Sequence, residues 1–274
     1  MSLLLVGCGK MGSALLQGWL DQGMAAAAIT IVEPNQDAAQ DFTSRLGVNA
    51  VASADELEPD YAPDVVVLAV KPQLMDQVLP PYAKLTANTL TATGPVFLSI
   101  AAGKTLASFE AVLGTNAAIV RAMPNTPASV GRGITVGCPN AHVSASQVAT
   151  CKTLLSGVGD VEWVEDESLM DAVTALSGSG PAYIFLLAEA MSLAGQRAGL
   201  DPQMADRLAR ATVAGSGEML HQSDAPAARL RENVTSPGGT TAAALDVLMA
   251  DGGMTDLLTK AIAAATQRSK DLAS

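Results

Sequence analysis

The feature that most constrains the fold is a glycine-rich turn near the start of the chain. Residues 2–6, SLLLV, form a short apolar run typical of a buried strand, and GCGKMG follows at once. From Met11 to Trp19 apolar residues recur at helical spacing, so the turn lies between a strand and a helix. In that context the pattern predicts a site for the phosphates of a dinucleotide at a helix N-terminus. A tight turn that binds nothing is the alternative.

The residues of this turn are the predicted phosphate-binding residues. The first glycine allows the turn, the second lets the backbone approach a pyrophosphate, and the third lets the helix pack against the strand. The predicted set is Gly7, Cys8, Gly9, Lys10, Met11 and Gly12.

A carboxylate follows the second predicted strand. The run AITIV at residues 28–32 ends at Glu33, about 20 residues beyond Gly12, where an acidic side chain accepts hydrogen bonds from the ribose hydroxyls of NAD. Its charge repels the 2′-phosphate of NADP, so Glu33 favours NADH. Pro34 and Asn35 can redirect the loop, which keeps this preference modest.

Strand and helix patterns alternate as far as residue 164. The runs 64–70, 96–103 and 117–128 are typical of strands, and a last strand pattern begins at residue 159. This alternation predicts a doubly wound, Rossmann-like α/β nucleotide-binding domain over residues 1–164. Lys71 follows one of the strands and either contacts the cofactor through its backbone or is a solvated loop residue.

The strand patterns end there, and residues 165–274 predict an all-α domain. Between Ala182 and Gly195 the only charged residue is Glu189, so this helix is apolar on nearly every side. A small helical domain has limited capacity to bury such a helix alone, and we therefore predict an obligate homodimer through this dimerisation domain. Burial against the chain's own nucleotide domain is the alternative.

Composition argues against several classes of function. The net charge is −11 and the chain has only two Trp, three Tyr and four Phe, which disfavours nucleic acid binding. The three cysteines lack metal-ligand or disulfide spacing, so we expect no metal and a reducing cytoplasm. The apolar start lacks the basic segment of a signal peptide, and the most apolar later segment is short for a membrane span. The protein is therefore expected to be cytoplasmic and not to bind a membrane.

The sequence offers few acid–base groups for catalysis. Its two histidines, His142 and His221, lie in no recognisable site, and residues 153–259 contain no lysine. Oxidation of an alcohol needs a general base, so that reaction is disfavoured. Reduction of a C=N bond fits better, because a protonated imine is already electrophilic and hydride delivery needs mainly positioning.

The segment SPGGTT at residues 236–241 is the best candidate for holding a small anion. It precedes a predicted helix, and consecutive backbone N–H groups from Gly238 to Thr241 would form an anion-binding nest suited to a carboxylate. The alternative is a plain helix cap in which a Ser or Thr side chain caps the helix and the glycines serve only the turn.

Together these segments resemble the pyrroline-5-carboxylate reductases, the enzymes that close proline biosynthesis. The resemblance spans the chain and rests on GCGKMG, LAVKPQ, SIAAG, RAMPNTPA, SGSGPAY and VTSPGGTTAAAL, in that order. It implies reduction of 1-pyrroline-5-carboxylate to L-proline with NAD(P)H as cofactor. Another imine reductase or a β-hydroxyacid dehydrogenase on the same scaffold, or an NAD(P)-binding module without turnover, are the alternatives.

The resemblance also implies roles for individual residues. Thr241 would be catalytic, on the imine nitrogen side of the substrate, and the backbone of Gly239 and Thr240 would hold the carboxylate. The other implied substrate residues are Ser236 and Glu167, and the implied cofactor residues are Val70, Lys71, Pro72, Ala102 and Asn233. In the family, dimers often assemble into decamers, and the active site forms where one nucleotide domain meets the helical dimer. Members that use NADPH commonly carry a small hydroxyl residue and basic or polar neighbours where this chain has Glu33.

Overall fold

The chain divides into two compact units. The computed structural model describes residues 1–86 and 94–273. The first unit is Met1–Gly178 together with the C-terminal stretch from Thr266, and the second is Ser179–Ala265. The predicted fold class, a doubly wound α/β domain followed by helices, is confirmed. The predicted domain division at 164/165 stays a prediction.

The first unit contains a single sheet with helices between its strands. In the described residues its strands are β1 (Leu3–Val6), β2 (Ile29–Val32), β3 (Asn49–Val51), β4 (Val65–Leu68), β5 (Val96–Ser99), β6 (Ala118–Met123), β7 (Gly133–Pro139) and β8 (Gly159–Trp163). Its helices are α1 (Lys10–Asp21), α2 (Gln36–Leu46), α3 (Met75–Val78), α4 (Leu106–Leu113), α5 (Ala145–Leu155) and α6 (Met170–Val173), followed by a π-helical turn at Thr174–Gly178.

The strand order explains where a ligand can bind. It runs β3-β2-β1-β4-β5-β6-β7-β8, and every neighbouring pair is parallel except β6 and β7. The chain leaves β3 at one edge and returns to the other side of β1 to form β4, so the winding direction reverses between β1 and β4. In doubly wound sheets a ligand crevice lies at this switch point, beyond the carboxyl ends of the strands.

Apolar side chains cover both faces of the sheet. Along β1, Leu3 and Leu5 pack into the cluster that includes α1, whereas Leu4 and Val6 pack into a second cluster. Trp19 of α1 is fully buried in the first cluster, and its indole N–H donates to the Leu154 carbonyl oxygen at 2.8 Å. Burial on both faces is the reason that these strands are continuous apolar runs rather than alternating ones.

Strand β7 is an element that the sequence pattern did not predict. It pairs antiparallel with β6, with Val120 opposite Pro139 and Met123 opposite Val136. The connection between the two strands holds one 3-10 turn and Gly131 at a φ of 68°. That connection is too short for the crossover that a parallel neighbour requires. The β7 sequence, GITVGCP, contains two glycines and a proline, which hide the strand pattern.

The second unit consists of helices, as the sequence predicted for this half of the chain. They are α7 (Gly180–Arg197), α8 (Pro202–His221), α9 (Ala227–Asn233), α10 (Thr240–Leu248) and α11 (Met254–Ala273), the last of which ends in the first unit. The start of α8 shows why such boundaries can be predicted: Asp201 caps the helix by accepting from two first-turn N–H groups, and Pro202 follows it. In the described part of the chain, no helix is long and apolar enough to cross a membrane.

The second unit has almost no core of its own. Residues 179–265 all belong to the described part of the chain, and only Ser192, Ala205 and Ala209 among them are buried. Phe185 and Leu186 of α7 are 69% and 62% exposed. Other large apolar side chains of this unit that are more than half exposed are Leu208, Met219, Leu220, Val234, Val247, Met249 and Leu257. Apolar exposure on this scale is typical of a surface that another chain covers.

The three cysteines all lie in the first unit as buried, free thiols. Burial raises the pKa of the Cys8 and Cys151 thiols to about 12, and burial together with the charge of Glu167 raises the pKa of the Cys138 thiol. Because the thiolate is the reacting form, we expect very slow reaction of the native protein with an aromatic disulfide reagent at about pH 8. Unfolding in guanidinium should release all three thiols. A thiol that reacts rapidly in the native protein would contradict this expectation.

Candidate functional site

The predicted phosphate loop lies at the switch point of the sheet. Residues Gly7–Gly12 leave the carboxyl end of β1, between β2 and β4. The Gly7 N–H donates to the Val32 carbonyl oxygen at 3.0 Å, and the Ala69 N–H donates to the Val6 carbonyl oxygen at 2.8 Å. These bonds join the ends of the three strands, so the loop lies where the fold class places its ligand.

The backbone of this loop fits a pyrophosphate. Gly7 has a φ of 90°, and a Cβ there would lie 2.9 Å from Val70. Gly12 packs so closely that its Cβ would meet the Gly7 carbonyl oxygen, whereas a Cβ on Gly9 would have no atom within 4 Å among the described residues. The Gly9 backbone is therefore open to a ligand. Gly9 is also the N-cap of α1 and offers no capping side chain, which leaves the first N–H groups of α1 for an anion.

Two backbone amides hold the Glu33 carboxylate in place. Glu33 Oε2 accepts from the Cys8 N–H at 3.2 Å, and Oε1 accepts from the Asn35 N–H at 3.0 Å. The Cys8 side chain points into the core, so Cys8 contributes its backbone to this site. The carboxylate thus lies beside the phosphate loop, where the adenosine ribose is expected.

The loops after β4 and β5 contain the other predicted cofactor residues of the first unit. Val70 lies against Gly7, and Lys71 and Pro72 begin the 3-10 turn that follows β4. Ala102 is exposed just beyond β5, the neighbour of β4. The Lys71 side chain is also exposed, so a contact with cofactor through its backbone stays a prediction.

The predicted carboxylate site is a tight turn before α10 in the second unit. Gly238 has a φ of 69°, and the Gly239 N–H donates to the Ser236 carbonyl oxygen at 3.0 Å. Because the turn already uses the Gly239 amide, that amide is not available to a ligand, although it was one of the predicted donors between Gly238 and Thr241. The first bond within α10 is donated by Ala243 to Gly239, which leaves the amides of the first turn, beginning with Thr240, for an anion.

The N-terminus of α10 is not capped by a side chain among the described residues. The plain Ser or Thr cap, which was the alternative for this segment, is therefore not the arrangement that forms. Thr241 is half-buried at the second position of the helix, and Thr240 before it is exposed. Asn233, the predicted cofactor residue of this unit, is the exposed last residue of α9. Its contact with cofactor stays a prediction.

Glu167 has partners within the first unit that the sequence did not indicate. Its Oε1 accepts from the Arg121 guanidinium at 2.7 Å and from the Leu106 N–H at 2.8 Å. The Arg121 side chain is only 6% exposed and that of Glu167 is 28% exposed. Glu167 therefore pairs with the buried Arg121 guanidinium and accepts a hydrogen bond from the first turn of α4. The role that the resemblance implies for it at the substrate stays a prediction.

Two buried polar residues were missed by the sequence argument. Arg121 is a single charge within the apolar strand β6, and Asn125 follows that strand. Asn125 Oδ1 accepts from the Ile134 N–H at 2.9 Å, and its Nδ2 donates to the Ser177 carbonyl oxygen at 3.2 Å. The signal available in the sequence was a lone Arg in an apolar run, since a buried charge requires a partner.

Known proteins match both units. The family model described as pyrroline-5-carboxylate reductase dimerisation matches residues 167–272, and the one described as NADP oxidoreductase coenzyme F420-dependent matches residues 2–103. A pyrroline-5-carboxylate reductase of Pseudomonas aeruginosa is 42% identical over 99% of this chain and 96% of its own length. The chain belongs to the pyrroline-5-carboxylate reductase family.

Solved structures of the family agree with this assignment. A pyrroline-5-carboxylate reductase from Coxiella burnetii has a TM-score of 0.92 at 35% identity and covers 100% of this chain and 98% of its own. The pyrroline carboxylate reductase of Plasmodium falciparum, solved with NADP bound, has a TM-score of 0.79 at 30% identity, with coverage of 100% and 98%. The match to the dimerisation model shows that the family's dimerisation domain includes the second unit. The chain forms a homo-oligomer, which explains the exposed apolar surface of that unit.

Proposed function

We propose that this protein reduces 1-pyrroline-5-carboxylate to L-proline with NAD(P)H as reductant. The observation that carries the proposal is the SPGGTT turn, which ends at an uncapped helix N-terminus in a chain that matches the family over its full length. The reaction adds a hydride to the imine carbon and leaves a proton on the ring nitrogen. The nicotinamide, when bound, supplies the hydride.

The first unit holds the cofactor in this proposal. The phosphate loop donates backbone N–H groups of the first turn of α1 to the pyrophosphate, with Gly9 allowing close approach. Glu33 accepts hydrogen bonds from the adenosine ribose. Val70, Lys71, Pro72 and Ala102 line the nucleotide from the neighbouring loops. Asn233 is the contribution of the second unit.

The turn before α10 holds the substrate. The carboxylate binds the first-turn amides of Thr240 and Thr241, where the helix dipole adds partial positive charge. The Ser236–Gly239 bond keeps the turn closed. The Thr241 hydroxyl hydrogen-bonds to the ring nitrogen and orients the C=N bond for hydride addition. The protonated imine needs no general base, which agrees with the scarcity of histidine and lysine in this half of the chain.

Thr241→Ala is expected to lower kcat/KM for pyrroline-5-carboxylate by about 10- to 100-fold, the value of a lost hydrogen bond to a charged group. The dissociation constant for NAD(P)H should not change, because the substitution leaves the first unit intact. Stopped-flow or steady-state oxidation of the reduced cofactor measures the first quantity, and fluorescence titration measures the second. Thr241→Ser should restore most of the activity. Parallel losses in turnover and cofactor affinity would instead assign Thr241 a role in folding.

The proposed assembly is a homodimer formed through the second units, and the homodecamer implied by the family resemblance is the proposed larger assembly. Light scattering on the purified protein measures the mass and so decides between the two.

We place the protein in the cytoplasm because its three thiols are free and buried, the state that a reducing compartment maintains. Fractionation of cells with an antibody against the chain tests that location.

A further inference from the structure

We infer that Glu33 makes this protein an NADH-dependent enzyme that discriminates against NADPH. The inference rests on the proposed function for the reaction, and it adds the choice of cofactor at the same site. A solved relative from Plasmodium falciparum binds NADP. The choice made by this chain must therefore come from its own residues around the adenosine ribose.

The Glu33 carboxylate cannot turn away from the ribose position without cost. Both of its oxygens accept backbone N–H groups, from Cys8 in the phosphate loop and from Asn35 in the turn that follows β2. The Cys8 amide is partly buried, so swinging the carboxylate aside would leave it without a partner. A 2′-phosphate would therefore meet a carboxylate that is held in position rather than a mobile surface group.

Among the described residues around α2 and β3, the basic side chains already have partners. The chain contains no Lys or Arg between Lys10 and Arg45. Arg45 lies in the last turn of α2 and donates to Asp41 Oδ2 at 2.8 Å. Lys84, which reaches the segment after β3, donates to the Ala54 carbonyl oxygen at 3.2 Å. Arg45 and Lys84 therefore each have another partner, and Lys10 belongs to the phosphate loop.

The cleft beside Glu33 carries negative charge. This cleft, about 590 Å³ in volume, runs along α2 and β3, and its lining includes Glu33 and Glu56 but no Lys or Arg among the described residues. NADH brings only hydroxyl groups to this ribose position, whereas NADPH brings a phosphate with a charge of about −1.5 to −2. The carboxylate of Glu33 at this end of the cleft therefore favours NADH.

The test measures dissociation constants of NADH and NADPH by nicotinamide fluorescence in the absence of substrate. We expect the wild-type protein to bind NADH at least about tenfold more tightly than NADPH, a difference of about 1.4 kcal/mol. Glu33→Gln should weaken NADH binding and strengthen NADPH binding, so that the ratio of the NADPH dissociation constant to the NADH dissociation constant falls to about two or below. Glu33→Ser/Pro34→Arg should reverse the preference, and a gain in NADPH affinity cannot come from misfolding.

Asp37→Asn is the matched control, since it removes one charge from the first turn of α2 but leaves Glu33 and its two amide bonds intact. We expect it to change the ratio less than about twofold. Wild-type protein that binds NADPH as tightly as NADH, or an Asp37→Asn shift equal to that of Glu33→Gln, would overturn the inference. Failure to reduce pyrroline-5-carboxylate while the binding ratios hold would instead refute the proposed reaction and leave the assignment of Glu33 intact.

Discussion

Phe185→Asp/Leu186→Asp is expected to dissociate the homo-oligomer and to destabilise the second unit. Both side chains are more than 60% exposed on α7 in the single chain. Burying a Phe or Leu contributes about 1.5–3 kcal/mol each, and in a dimer each residue is buried twice. Adding four buried carboxylates makes association still less favourable, so the dimer should weaken by at least about 10⁴-fold. Light scattering across a range of protein concentrations measures this change.

The control places the same two charges elsewhere. Ala149 and Thr153 are exposed on α5 of the first unit, one helical turn apart, so Ala149→Asp/Thr153→Asp adds equal charge outside the dimerisation unit. That variant should keep the native mass. The Phe185→Asp/Leu186→Asp variant should also bind NADH at its native affinity if its first unit is folded. An unchanged oligomeric mass would show that α7 presents these two side chains to solvent in the assembly.

Glu167→Ala is expected to destabilise the first unit by about 3 kcal/mol, because it leaves the buried Arg121 guanidinium without its carboxylate. The Leu106 amide loses its acceptor in the same variant. For a unit of this size, that loss lowers the melting temperature by roughly 6–12 °C. Differential scanning calorimetry or circular dichroism measures it.

Two further variants separate the ion pair from general damage. Asp166→Ala removes the neighbouring carboxylate, which only caps the following turn, so its effect should be clearly smaller. Arg121→Met/Glu167→Ala removes both charges and should recover much of the lost stability, since the cost comes from the unpaired guanidinium. Full destabilisation in the double variant would contradict this account. A raised KM for pyrroline-5-carboxylate in Glu167→Ala, assayed well below its melting temperature, would support the substrate role that the family resemblance implies.

Local signals in the sequence predicted most of the elements correctly. Helix α2 spans Gln36–Leu46, and its limits are local: Asn35 caps its start and Gly47 adopts the left-handed conformation at its end. Strands with both faces buried were visible as apolar runs for the same reason: every side chain of β1 faces a core. Strand β7 was missed because its two glycines and its proline hide the strand pattern.

The candidate site shows the same division between local and distant interactions. The phosphate loop and the SPGGTT turn were predicted because their backbone conformations depend on glycines a few residues apart. The amide donors that remain for a substrate could not be predicted, because the Gly239 N–H is used by Ser236 in a bond that only the folded turn reveals. Likewise the Arg121–Glu167 pair joins residues 46 positions apart.

By itself, the sequence determined the fold class, the family, the position of the nucleotide loop and the need of the helical half for another chain. Each of these follows from periodicity, glycine placement or apolar content within a short stretch. Only the tertiary structure decided which partners the Glu33 and Glu167 carboxylates take and which amides of the turn before α10 remain for a ligand. The physical reason is that a hydrogen bond depends on atoms within about 3 Å of each other, whatever their separation along the chain.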